Sequence, residues 1–400
     1  MPVTYILFGA TGDLALKKII PALAKTYLSG TDIKVLAFSR RDWTDSDYHS
    51  FIHYSLSSHH LTETEIKNFN SRVSYIQGSF DNPQSFVNLN SKIKTTNNTQ
   101  IIIHLAIQPE YYAQTIEQLA FVNIINKNIS AQLLIEKPFG HDTASAEALN
   151  NLLHKHISEE NIFRIDHYLG KENIRAIASE VIRAEVENKL DAYHVSSITA
   201  TLFEKEGIEG RGEFYEQNGV IRDVIQNHVL QMVATVLASP QQSRAAILSS
   251  LELIYGATPA ETLVLGQYEG YKDEAGVSNN SEVATFAAFK IKANVPRWSG
   301  VPILIKAGKG LKESLVEVAI TFKDESEIKF AIRGNNALGE THDAYEHLIS
   351  EAIKKDQRFF ASTEEILASW KLIDAVMSVA ENVSTVQYPK HSNLFATISL

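Results

Sequence analysis

The apolar residues of this 400-residue chain change rhythm near residue 166, and the change predicts two domains of different class. Before it, short continuous apolar runs alternate with helical stretches. Tyr5-Ile6-Leu7-Phe8 is such a run, closed by Gly9-Ala10-Thr11-Gly12-Asp13-Leu14 and followed by good helix formers over 15–25; this reads as strand, glycine turn, helix. Lys34-Val35-Leu36-Ala37-Phe38, residues 101–107, Ala131-Gln132-Leu133-Leu134-Ile135 and residues 161–165 repeat the strand pattern, with a helix expected over 142–160. Continuous apolar runs suit parallel strands covered on both faces. The asparagine-rich stretch 95–99 reads as a surface loop.

Residues 1–166 thus predict an α/β Rossmann-like domain, a doubly wound parallel sheet that binds a nucleotide. The rest differs in texture. Alternation over 197–204 predicts a strand, Glu209-Gly210-Arg211-Gly212 a loop, and Val220, Val224, Val229, Met232 and Val233 the apolar side of one helix over 219–233. Strands follow over 282–292, 302–306, 315–322 and 327–332, then helix over 342–382. Strands in succession predict a mainly antiparallel sheet, hence a second α+β domain over 167–400.

Composition narrows the function. A net charge of −10 is the wrong sign for a nucleic-acid binder. The absence of cysteine excludes disulfides, thiolate metal ligands and cysteine nucleophiles. Apolar runs are strand-sized, too short for a membrane span, and the first residues lack the basic start of a signal peptide, so the cytoplasm is the expected compartment. The fourteen histidines are scattered, and no metal cluster is expected.

Candidate chemistry gathers at strand ends. Gly9 and Gly12 let backbone N–H groups approach a pyrophosphate, although the Gly-x-x-Gly spacing is weaker than the three-glycine fingerprint and a plain structural turn is its alternative. Ser39-Arg40-Arg41 ends the second strand, where an acid would favour NAD and arginines suit a 2′-phosphate; the cofactor expected is NADP. Lys17 and Lys18 add charge nearby or are simply solvated. Lys137, after the fourth strand, is placed to meet substrate or cofactor, or is a surface lysine, and the Lys137-Pro138 bond is a candidate cis bond. Arg164-Ile165-Asp166-His167-Tyr168-Leu169-Gly170-Lys171-Glu172 gathers an acid to orient a base and donors for a phosphate; its alternative is a salt-bridged corner. In the 219–233 helix, Asp223 and Asn227 are one turn apart and share a face, with His228 the next residue along.

With those segments named, the chain resembles glucose-6-phosphate dehydrogenases nearly end to end. The carrying motifs are the glycine turn, Glu136-Lys137-Pro138-Phe139-Gly140, the block 164–172, Glu209-Gly210-Arg211-Gly212, Ile221-Arg222-Asp223-Val224-Ile225-Gln226-Asn227-His228, Val264-Leu265-Gly266-Gln267-Tyr268 and Asp343-Ala344-Tyr345-Glu346. The resemblance implies hydride transfer from C1 of glucose 6-phosphate to NADP, the first step of the oxidative pentose phosphate pathway. It makes His228 the base and Asp166 its orienting acid. It assigns His167, Tyr168 and Lys171 to the phosphate, and Lys137, Glu204, Asp223 and Lys309 to sugar hydroxyls. The cofactor set is Gly9, Thr11, Gly12, Asp13 and Leu14, with Lys18, Arg40, Arg41 and Lys137.

Two departures stand out. Ser314 occupies a position where the family usually has a base, and the chain is shortened after Phe322, where the family builds its dimer sheet; a homodimer is expected on a reduced contact. Two other readings are an oxidoreductase of the glucose–fructose oxidoreductase type acting on an unphosphorylated sugar, and a non-catalytic sugar- or nucleotide-binding descendant. His167, Tyr168 and Lys171 argue against the first, Asp166 with His228 against the second.

Overall fold

The structure, a computed structural model, describes residues 1–93, 99–127, 131–171, 174, 187–331 and 344–393. The chain forms two compact units, Met1–Gly140 with Glu147–Gly170 and Thr341–Thr363, and His141–Ala146 with Lys171–Glu340 and Glu364–Leu400. The sheets answer to the expected classes. The first unit holds β1 (Val3–Phe8), β2 (Ile33–Ser39), β3 (Val73–Gln77), β4 (Gln100–Leu105), β5 (Ala131–Glu136) and β6 (Ile162–Ile165) in the order β3-β2-β1-β4-β5-β6, every pair parallel. Every residue of β1, β4, β5 and β6 is buried, the polar Gln100, His104, Gln132, Glu136 and Arg164 included, as strands covered on both faces require.

A division at residue 166 leaves out one element of this unit. Helix Ala344–Lys354 belongs to it, although the chain reaches that helix only after most of the second unit. Polar groups on the sheet explain the return. Gln132 Nε2 donates to Ala352 O, and Gln100 Nε2 donates to Ile353 O at 3.0 Å, so carbonyls at the end of the helix are satisfied by strand side chains. Lys25 pairs with Glu346, while Leu348, Ile349 and Ala352 enter the same core as Leu134, Phe163 and Ile165.

The second unit contains β7 (Val195–Phe203), β8 (Leu251–Leu253), β9 (Leu263–Tyr268), β10 (Phe286–Ala293), β11 (Pro302–Gly308), β12 (Leu315–Phe322), β13 (Glu327–Ala331) and β14 (Val386–Tyr388). The path is β13-β12-β7-β11-β10-β9-β14, with β8 on β10; β7–β11 and β9–β14 are parallel and the other pairs antiparallel. Register places Ile198 beside Ile303 and Ala200 beside Ile305, all fully buried, whereas the alternate residues Thr199 and Lys306 are only partly covered. Period-two patterning therefore has one core face here, unlike the first sheet. Among the described residues no helix is long and apolar enough to cross a membrane.

Candidate active site

The glycine turn leaves β1 between β2 and β4. Gly9 has φ +75°, and a Cβ on it would lie 2.1 Å from Ala106 O, so only glycine permits this backbone path. Gly9 N and Ala10 N donate to Phe38 O, Gly12 N donates to Gly9 O, and the following π-helical turn Ala15–Ile19 starts with no side-chain cap and no acid in its first turn. An open helix start of this kind fits the pyrophosphate of a dinucleotide. Thr11 and Ser39 share a hydrogen bond of 2.7 Å, so the serine hydroxyl is used inside the protein, which leaves the neighbouring Arg40 and Arg41 as the candidate phosphate-binding groups. Both are exposed and steadied by aromatic faces, Arg40 at 5.8 Å from the Tyr111 ring and Arg41 at 4.8 Å from Trp43. These cations fit a 2′-phosphate. Of the other turn residues, Asp13 pairs with Lys17 at 2.7 Å on the surface, Leu14 stands at the N-terminal position of the helical turn without capping it, and Lys18 is exposed.

Lys137 follows β5 directly, is partly exposed, and precedes a cis Lys137–Pro138 bond. The block after β6 folds as a tight turn around a buried acid. Asp166 is 2% exposed; its Oδ1 accepts from Tyr168 N at 2.9 Å and its carbonyl from Leu169 N at 3.0 Å. His167 is half-buried and its ring lies 4.8 Å from that of the buried Tyr168. A Cβ at Gly170 would come within 3.0 Å of Ala344 O, so this glycine lets the block close on helix Ala344–Lys354. Lys171 is partly exposed, and Glu172 lies outside the described residues.

Arg164, which opens the block, is a scaffold residue. Its guanidinium, 1% exposed, donates to Glu159 at 2.8 and 3.1 Å, to Asn150 at 2.7 Å and to Thr363 at 2.7 Å. Burial raises the Glu159 pKa, but the Arg164 bonds and charge outweigh it and hold the carboxyl at about 2.

The second unit presents its candidates from one helical run and one strand end. The run expected as a regular helix over 219–233 begins at a break, Gly219 with φ +56°, then continues as the π-helical stretch Ile221–Val229 and helix Leu230–Leu237. Asn227 supplies the reason. Its Nδ2 donates to Asp223 O at 3.0 Å and its Oδ1 accepts from His228 N at 2.6 Å, so one carboxamide spans the two backbone groups that i→i+5 bonding would join. The wider turn of such a stretch brings residues five apart, such as Asp223 and His228, closer round the axis than an α-helix would, while Asp223 and Asn227 stay neighbours. Both are buried, at 7% and 4% exposure. At the end of β11, Lys309 is 3% exposed, pairs closely with Glu204 and lies 3.7 Å from Asp223 Oδ2. Ser314 accepts from Lys205 N at 3.1 Å and adds no cation there.

Sequence reasoning missed Tyr215. It is fully buried, its ring 5.8 Å from Lys309 Nζ, and burial followed by the Asp223 charge raises its hydroxyl well above the ordinary range. The candidates divide between the units: the glycine turn, Lys137, Asp166, His167 and Tyr168 in the first, Lys171, Glu204, Asp223, His228 and Lys309 in the second.

Comparison with known proteins agrees with both halves. The family model "Glucose-6-phosphate dehydrogenase, NAD binding domain" matches residues 6–176, and "Glucose-6-phosphate dehydrogenase, C-terminal domain" matches 184–339 and 324–396. Glucose-6-phosphate 1-dehydrogenase of Helicobacter pylori strain J99 is 30% identical, with 97% of this chain and 96% of the relative covered. The Bacillus subtilis enzyme of that name is also 30% identical, covering 93% and 90%. A solved glucose-6-phosphate dehydrogenase in complex with its substrate glucose-6-phosphate superposes with a TM-score of 0.86 at 26% identity, covering 98% and 94%. With both domain models matched in order and a 30% identical relative aligned over nearly its whole length, the chain belongs to the glucose-6-phosphate dehydrogenase family.

Proposed function

We propose that this protein oxidises C1 of glucose 6-phosphate with NADP, giving 6-phosphogluconolactone and NADPH. The observation that carries the reading is the match of the family's two domain models in order over residues 6–176 and 184–396, with His228 and Asp223 both buried on one helical run. NADP, when bound, supplies the hydride acceptor.

The protein's own groups do the rest. His228 takes the C1 hydroxyl proton on its imidazole, and Asp166 orients that ring and stabilises its protonated form. Asp166 suits the role because its carboxylate is fixed by the Tyr168 N–H rather than left to rotate. His167, Tyr168 and Lys171 hold the sugar phosphate. Glu204, Asp223 and Lys309 offer acceptors and a donor side by side for adjacent hydroxyls, and Lys137 contacts sugar and cofactor. Gly9, Thr11, Gly12, Asp13, Leu14 and Lys18 line the pyrophosphate site, and Arg40 and Arg41 bind the 2′-phosphate. The nucleotide-binding domain ends near residue 166 and is completed by the returning helix. The expected assembly is a homodimer working in the cytoplasm.

NADPH formation measured with glucose 6-phosphate, galactose 6-phosphate and glucose, each with NADP and NAD, tests the reading. The phosphorylated glucose with NADP should be turned over fastest, and His228→Asn should lower kcat by about 10²–10⁴ with little change in substrate binding. Turnover of free glucose but not its phosphate would overturn the substrate assignment, and near-normal kcat in His228→Asn the base.

A further inference from the structure

Glu136 closes β5 one residue before Lys137, and protein groups hold both its carboxylate oxygens. Oε1 lies 2.8 Å from His104 Nε2, and Oε2 accepts from Tyr345 OH at 3.1 Å. Its carbonyl accepts from Tyr112 OH at 2.6 Å, and on the far side of the imidazole, His104 Nδ1 lies 2.7 Å from Tyr5 OH. Tyr5, His104 and Glu136 step across β1, β4 and β5, which are neighbours in the sheet. Tyr5 and His104 are fully buried and Glu136 is 8% exposed.

Proton positions follow from those contacts. Burial, then the Glu136 charge, pushes the Tyr5 and Tyr112 hydroxyls well above their ordinary range, so both keep their protons and are able to donate. With Tyr5 donating to Nδ1, a neutral imidazole carries its proton on Nε2 and donates it to Glu136. Donors thus reach the carboxylate from both sides, one through His104 and one from Tyr345. Burying a carboxylate among strands is costly, and an apolar side chain would fill the space without that cost. The turn that immediately follows carries Lys137.

We infer that Glu136 is a positioning residue for Lys137. Gripped by His104 and Tyr345, it holds the end of β5 so that the ammonium on the next residue is presented in one orientation. Tyr345 comes from the returning helix, 209 residues away, so that helix and the Lys137 turn are fixed to one carboxylate. The inference rests on the assignment of Lys137 to the substrate site made above.

A double-mutant cycle on the full chain tests it. Glu136→Gln keeps the shape but cannot offer a carboxylate to both donors; it should lower kcat about 10–100-fold, the order of loss expected when a reacting group is misplaced by about 1 Å. The NADPH dissociation constant, read by fluorescence, should shift no further than it does in Lys137→Ala, because β1 and β2 hold the glycine turn and only Lys137 carries the effect to the cofactor. In a Lys137→Ala background the same substitution should change kcat by less than about twofold, since the group it aims is gone. Where Glu136→Gln does not fold, Tyr345→Phe, which deletes one O–H, should show the same pattern with a loss of about 3–10-fold. Near-normal kcat in both variants, or losses that multiply with Lys137→Ala, would overturn the inference. Near-normal kcat and KM in Lys137→Ala would instead overturn the assignment of Lys137 itself.

Discussion

Arg164 in the first unit and Lys309 in the second are both buried cations facing carboxylate, and they are coordinated in opposite ways. The Arg164 fork is matched by Glu159 in two bonds and completed by Asn150 and Thr363, groups that hold strand, helix and loop together. Lys309 is a point charge between two acids at unequal range, in close contact with Glu204 and 3.7 Å from Asp223. A planar guanidinium with matched partners resists exchange, whereas an ammonium with rotatable donors gives up one acid for a ligand hydroxyl. Burial of charge alone therefore does not mark a site. Uneven coordination beside other polar groups is what separates the proposed site lysine from the scaffold arginine.

The comparison breaks most visibly at Arg164. Arg164→Met leaves Glu159 without its buried partner and should cost about 3–5 kcal/mol of stability in urea unfolding, with turnover of the folded protein within about tenfold of normal. A stability loss below about 1 kcal/mol would show that the arginine is not scaffold.

Lys309→Met should behave in the reverse sense. With Glu204 35% exposed and able to turn to water, the stability loss should be about 1 kcal/mol, while kcat/KM for glucose 6-phosphate falls about a hundredfold, or about 2.7 kcal/mol of transition-state binding. If Lys309→Met lost stability as Arg164→Met does and kept its kcat/KM, the two cations would share one role.

How much of this could be read from the chain follows from how local each feature is. Strand β12 occupies the expected 315–322, because its alternating pattern and flanking polar residues lie within the strand itself. The glycine turn was legible for the same reason. The π-helical stretch was not: the apolar spacing of 219–233 fits an ordinary helix, and the one signal, Asn227 at a helix interior where a carboxamide competes for backbone, is weak alone. Nor was the return of helix Ala344–Lys354, whose anchors Gln100, Gln132 and Glu136 look like isolated polar residues in apolar strands. His104 was hidden likewise inside an apolar run, since its partner Glu136 is 32 residues away.

The smallest expected effect isolates the charge in the scaffold pair. Glu159 is held at about 2 in the folded protein against an ordinary 4.5, so its contribution is complete above about pH 5 and is lost as pH falls through the folded value. That fall is worth about 3 kcal/mol without screening, and about 1.5–2 kcal/mol once solvent reaching a side chain 35% exposed is allowed for. Glu159→Gln cannot titrate and so lacks this term at every pH. Unfolding free energies of the two proteins should differ most at pH 6 and converge as pH approaches 2, with Arg164 charged throughout. A gap that stayed constant over that range would mean that Arg164 holds Glu159 by shape and hydrogen bonding alone, and the contrast with Lys309 would then rest on geometry rather than on charge.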